Sequence, residues 1–333
     1  MEVFDSVRKY KVTESDSIIF TELTTEEKTS EKNIAERANV SKSSFYKSLD
    51  YFEKLGFSIE SKEKKGIKIT KKEPRLTPPE FLNYCPERFR KNYHYFTTIN
   101  STHDYSMRLI KSKEKVEDSL VVSEYQSSGR GRTGRRWVSK LASGILVSLV
   151  LDLSDIKNED FSMLPIVLSL SVAKAIKSKL SWPNDIMLDD KKVGGTLVNT
   201  LIKGDSKYAI LSLGLNVFGK NDKTPVALSE STTMEKEGLL EKGWGNPRAV
   251  ILKRWLKTLE EELTNISNRN TIFKEWNDLL IDKDKEIFWI DSNGKKFYGK
   301  FLSGCENGNA LVKNDKGETF EIKAEETPFY SFK

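Results

Sequence analysis

The sequence predicts a multidomain α+β chain, and three observations predict it. Its 333 residues suffice for two or three domains of about 150 residues each. Apolar residues at helical spacing fill residues 30–55, buried-strand runs broken by glycine-rich turns fill the middle, and short alternating runs follow Trp276. Four of the nine prolines fall between Pro74 and Pro86. Proline resists helix and strand interiors, so this stretch reads as a linker. The expected units are 1–73, a linker at 74–88, a central domain at 89–276 and a small C-terminal module at 277–333.

Lys plus Arg is 55 and Asp plus Glu is 49, a net charge of +6. That excludes an acidic disordered chain and permits an anionic partner. The longest apolar run, Gly144 to Leu151, suits a buried strand and falls well short of the ~18 residues of a membrane span. The first residues lack the basic-then-apolar layout of a signal peptide. Cys85 and Cys305 stand far apart, which excludes a CxxC-type cage and predicts two reduced thiols in cytoplasm. His94 and His103 cannot build a multi-histidine metal site.

In the N-terminal unit, Ser30 to Ala38 has helical spacing. Asn39-Val40 reads as a tight turn, and Ser41 as the N-cap of a second helix, Lys42 to Leu55, that Gly56 ends. Phe45, Leu49, Phe52 and Leu55 form its apolar stripe. Ser41, Lys42, Ser43, Ser44, Tyr46 and Lys47 are left to meet phosphates and base edges. A hairpin follows, with Lys64 and Lys65 at its basic tip. The pattern predicts a winged helix-turn-helix that binds DNA, with a protein-packing three-helix module whose lysines are merely solvated as the alternative; residues 28–75 hold thirteen Lys or Arg against seven acids.

The central unit opens with a strand, Ser119 to Tyr125, that runs into Gly129-Arg130-Gly131-Arg132-Thr133-Gly134-Arg135-Arg136-Trp137. Glycines let a backbone approach a ligand, arginine forks bind phosphate or carboxylate, and Trp137 offers a flat apolar surface. The residues alone fit an anionic small-molecule site, an RGG-like nucleic-acid tract or a basic surface loop. Trp182-Pro183-Asn184-Asp185 then breaks local pairing before a strand. Asp189-Asp190 turns into Lys192-Val193-Gly194-Gly195, where the glycine pair leaves room for a ligand. A third strand, Tyr208 to Leu215, leads to Asn216. After Trp276, Asn293-Gly294, Asn307-Gly308 and Lys316-Gly317 mark hairpins of a small β-barrel-like module.

In this order the motifs resemble the biotin protein ligases, specifically the two-function type that is also a biotin operon repressor, over nearly the whole chain. The resemblance implies a catalytic fold akin to class II aminoacyl-tRNA synthetases, with a mixed sheet, and a C-terminal SH3-like barrel. It implies biotin and ATP as substrates with Mg2+. It implies a biotin carboxyl carrier domain and operator DNA as partners, a homodimer when the adenylate is bound, and no membrane. Lys192 and Arg132 would be catalytic. Ser101, Thr102, His103, Gln126, Gly129, Arg130, Gly131, Arg132 and Lys192 would bind biotin. Arg130, Arg132, Arg135, Trp137, Asn184, Asp185 and Asn216 would hold the adenylate, with Asp185 on the magnesium side. Three positions depart from the family pattern: His103 for Asn, Ser181 for Lys and Ser212 for Gly. They motivate one rival, a biotin-sensing repressor with a weakened ligase. The shared fold motivates another, a lipoate or octanoate ligase.

Overall fold

The computed structural model describes residues 13–24, 29–62, 66–71, 75–81, 84–218, 233–234, 246–291, 293–324 and 329–332. Near the N-terminus, helices α1 (Glu14–Thr24), α2 (Glu31–Arg37) and α3 (Lys42–Lys54) precede an antiparallel hairpin of β1 (Ser58–Lys62) and β2 (Gly66–Lys71). Ser30 and Ser41 cap their helices, accepting the amides of Asn33 at 3.2 Å and Ser44 at 3.1 Å. Between them Asn39 takes a φ of +53°, as the turn requires. Phe45, Leu49 and Phe52 pack with Ile19, Phe20 and Leu23 of α1 into one core. Helix α1 lies outside the elements that the sequence pattern predicts. Its signal is a capping box: Thr13 and Asp16 exchange hydrogen bonds, with Thr13 N–H giving to Asp16 Oδ2 at 2.7 Å and Asp16 N–H to Thr13 Oγ1 at 3.3 Å.

The described part of the expected linker is packed, not loose. Leu76 to Phe81 are all buried, and Leu76 and Phe81 join the main core. Short helix α4 (Pro78–Phe81) opens on its two prolines, where a first helical turn needs no N–H. Thr77 and Glu80 brace it through a 3.0 Å side-chain hydrogen bond. Another short helix, α5 (Glu87–Arg90), follows.

The central unit runs β3 (Tyr93–Ile99), α6 (Thr102–Ser112), β4 (Ser119–Gln126), the two-residue strands β5 (Gly129–Arg130) and β6 (Arg136–Trp137), then β7 (Gly144–Asp152). It continues through α7 (Leu164–Ile176), β8 (Lys179–Ser181), β9 (Asp185–Leu188), β10 (Lys191–Lys203) and β11 (Ser206–Asn216). Helices α8 (Pro247–Thr264) and α9 (Arg269–Leu279) follow. Seven strands form one sheet in the order β3-β4-β7-β11-β10-β9-β8. The β3–β4 pair is parallel and the others are antiparallel, so the sheet is mixed. Side chains alternate across it. Ile145, Val147, Leu149 and Leu151 join the core built with α7, α8 and α9, while Val150 packs with Leu109 and Ile110 of α6. Thus α6 covers one face and leaves part of it to other residues.

Helix α9 runs to Leu279, past the expected boundary at 276. Strands β12 (Glu286–Ile290), β13 (Lys296–Gly304), β14 (Ala310–Lys313), β15 (Thr319–Ile322) and β16 (Phe329–Phe332) then form an antiparallel sheet ordered β15-β14-β13-β12-β16. Ile287, Trp289, Phe301 and Val312 belong to the same apolar cluster as the central core. Cys85 and Cys305 are both free thiols. No helix among the described residues is long and apolar enough to cross a membrane.

Candidate active site

Motifs remote in sequence meet on the α6 face of the sheet. The β5–β6 hairpin is closed by Gly129, whose ideal Cβ would lie 2.6 Å from the Trp137 carbonyl oxygen, so no side chain fits there. The hairpin lays the Trp137 indole on strand β11: a Cβ on Gly214 would lie 2.6 Å from indole Cε2. Gly195 on β10 is the meeting point. Its ideal Cβ would stand 3.6 Å from Trp137 Cζ3, 3.7 Å from the Asn184 carbonyl oxygen and 3.7 Å from Lys192 Cε. The indole Nε1 is buried with no hydrogen-bond partner among the described residues.

The charged groups are held as follows. Lys192 Nζ is 2.6 Å from Asp185 Oδ1, and both side chains are about a quarter exposed. Arg130 Nε bonds both carboxylate oxygens of Asp104 at 3.0 Å. The Arg132 guanidinium donates to the Ala324 carbonyl of the C-terminal module. Arg135 is exposed, while its carbonyl takes the Gly131 N–H at 2.8 Å and shapes the loop. Asn184 is tied to β10, with Nδ2 giving to the Thr196 carbonyl at 2.6 Å. Asn216 is buried at the end of β11, two residues beyond Gly214.

Ser101 is fully buried and caps α6 through the Asp104 amide at 3.3 Å. Thr102 gives its N–H to Gln126 Oε1 at 2.7 Å and its hydroxyl to the same oxygen at 3.1 Å. His103 is buried, and its Nδ1 lies 2.9 Å from Ser212 Oγ. Burial holds its imidazole below the ordinary value, against the opposing pull of Asp104. Two of the three departures from the family pattern therefore touch one another. The third, Ser181, is buried and donates to Asp282 Oδ1 at 2.9 Å. Asp282, fully buried, also accepts the Trp182 amide at 2.8 Å. Sequence reasoning missed this carboxylate and Ser148, since both act only through contacts made by folding.

The Asp185 carboxylate faces Lys192, and no group of three or more His, Cys, Asp or Glu among the described residues could hold a metal ion by itself.

Residues 95–216, which contain every motif just described, match the model of the biotin/lipoate A/B protein ligase family. Residues 95–216 therefore form a domain of this family. The bifunctional ligase/repressor BirA of Bacillus spizizenii is 26% identical to this chain over 295 residues, covering 86% of this chain and 89% of its own. The BirA of Escherichia coli is 28% identical over 209 residues, covering 58% and 63%. Among solved structures, a biotin protein ligase from Aquifex aeolicus, in complex with biotin and ATP, aligns with a TM-score of 0.58 at 26% identity. It covers 73% of this chain and 100% of its own.

A second surface lies at the start of α3. Ser41, Lys42, Ser43, Ser44, Tyr46 and Lys47 are all exposed there. Ser41 and Ser44 share a 3.0 Å hydroxyl contact, and the Tyr46 hydroxyl donates to Glu31 Oε2 at 2.5 Å. The expected wing-tip lysines, Lys64 and Lys65, lie outside the described residues.

Proposed function

We propose that this ligase activates biotin with ATP and transfers it to one lysine of a biotin carboxyl carrier domain. A biotin carboxylate oxygen attacks the α-phosphorus and pyrophosphate leaves, giving biotinyl-5′-AMP. The acceptor lysine amine then attacks the acyl carbon and AMP leaves. The convergence of Trp137, Asn184 and Lys192 at Gly195 carries this reading. Two anions must be brought together there, and Lys192 supplies a cation between them as it turns from Asp185 to the substrates. Arg130 and Arg132 add charge from the loop, which would close over the adenylate and keep water from it. The unpartnered Trp137 N–H is a donor toward bound substrate, and its ring is a flat wall for adenine. Magnesium enters as MgATP, held by the phosphates. Thr102 and Gln126 supply polar groups for the biotin ring.

The reading extends to the N-terminus. Its three helices and hairpin are taken as a winged helix-turn-helix, with the exposed start of α3 entering a DNA groove. The adenylate would favour a homodimer that binds a two-part operator and represses transcription, in cytoplasm. Names of the relatives as ligase/repressors and the basic charge of residues 28–75 support this.

The catalytic test mixes the chain with biotin, MgATP and an apo carrier domain. Pyrophosphate release and labelled carrier are expected, and Lys192→Ala should lower the rate by about 100-fold or more. Unlabelled carrier with wild-type chain would refute the proposal. For the repressor function, operator affinity by anisotropy should rise when biotin and ATP are both present; equal affinity with and without them refutes that part.

A further inference from the structure

A line of buried hydrogen bonds leads from Gln126 into the molecule, and the transfer chemistry makes no use of its far end. Ser148 Oγ donates to Thr102 Oγ1 at 2.9 Å. Ser148 and Ser212 face each other in the β7–β11 register with hydroxyls 2.7 Å apart. His103 Nδ1 is 2.9 Å from Ser212 Oγ. Thr102, His103, Ser148 and Ser212 are each at most 9% exposed.

Counting protons gives the line a direction. Each hydroxyl has one proton to donate. The proton of Ser148 goes to Thr102, so Ser148 receives one from Ser212. That spends the Ser212 proton, so Ser212 must accept from His103, whose hydrogen therefore sits on Nδ1. The line runs outward from His103 through Ser212, Ser148 and Thr102 to Gln126 Oε1. Two donors converge on that oxygen, which turns the carboxamide nitrogen the other way. Gln126 Nε2 lies 3.1 Å from where a Gly129 Cβ would stand, at the root of the arginine loop.

We propose that His103 and Ser212 are positioning residues for ring recognition: they orient the Thr102 hydroxyl and hold the Gln126 amino group toward Gly129, which makes the site select a cyclic urea over an apolar ring or chain. The inference rests on the ligase reading above. An apolar dithiolane or C8 acyl chain would bury the Gln126 N–H groups unpaired, and such sites discriminate strongly. A urea satisfies them.

The test uses the full chain, with binding of biotin and of lipoate measured by calorimetry and KM measured for biotin and ATP. His103→Ala and Ser212→Ala should each weaken biotin about five- to twentyfold. Weak lipoate binding and the KM for ATP should stay within about twofold, so the biotin-to-lipoate ratio falls by the same factor. His103→Asn places an amide N–H where Nδ1–H stood and should restore most of the loss. Where His103→Ala fails to fold, Ser212→Ala and His103→Asn carry the test. Alanine variants that melt like wild type and bind biotin as tightly would overturn the inference, as would a loss shared equally by biotin and ATP. A wild-type chain that binds no biotin would instead overturn the ligase reading itself.

Discussion

Trp137 rests on Gly214 with no room for a methyl group. A Cβ there would lie 2.6 Å from the indole, so Gly214→Ala must push the ring off the sheet. We expect a shifted tryptophan emission, at least tenfold slower pyrophosphate release and a stability loss of about 1–3 kcal/mol. Unchanged emission and rate would show that the ring does not sit there in solution. His103 gives a second expectation. Its folded imidazole resists protonation, while in the unfolded chain it takes a proton near pH ~6.5. Below that pH the unfolded state binds more protons, so stability falls as pH falls and is unaffected above it. Thermal melts from pH 5 to 8 should show a steeper acid decline for wild type than for His103→Asn. Parallel curves would mean another group sets the slope.

At the scale of elements, α3 was legible because local signals agree: Ser41 at the cap, Phe45, Leu49 and Phe52 on one face, Gly56 at the end. Helix α1 was not, because its apolar residues Ile18, Ile19 and Phe20 are contiguous and mask the period, leaving only the Thr13–Asp16 box as evidence. Pro78 and Pro79 misled for a related reason: proline disfavours a helix interior but suits a first turn, and sequence alone did not place the turn. The motifs that converge at Gly195 could be read because each is short. The His103–Ser212–Ser148 line could not, since its members are 109 and 64 residues apart and meet only through sheet register and the packing of α6 on the sheet. The exposed start of α3 carries its own expectation. Lys42→Glu with Lys47→Glu should weaken operator binding, and the slope of log affinity against log salt should fall by about two if each lysine meets one phosphate. An unchanged slope would move the DNA surface elsewhere.

For the whole molecule, one buried ion pair ties together segments that the sequence keeps apart. Arg248 on α8 meets Glu124 on β4 at 2.6 Å, and both side chains are fully buried. Arg248 Nε also gives to the Gly144 carbonyl of β7 at 2.8 Å, and Glu124 Oε1 accepts the Leu76 amide at 2.7 Å. Residue 75 extends the connection: Arg75 Nη1 donates to Leu55 O at the end of α3 at 3.1 Å, and its own carbonyl accepts from Asn246 Nδ2 at 2.5 Å. The N-terminal helices, the packed segment 75–81, two sheet strands and α8 are thus joined through Glu124, two residues before Gln126. Desolvating two charges offsets most of their attraction, so the pair adds little net stability, yet removing one partner strands the other. Arg248→Met should therefore cost about 3–5 kcal/mol, read as a lower midpoint in urea unfolding, with weaker biotin binding as β4 loses its brace. Adding Glu124→Gln should recover much of that loss, because no buried charge is then left unpaired. If the double variant were no more stable than Arg248→Met, the loss would come from vacated packing around α8 and not from a stranded carboxylate.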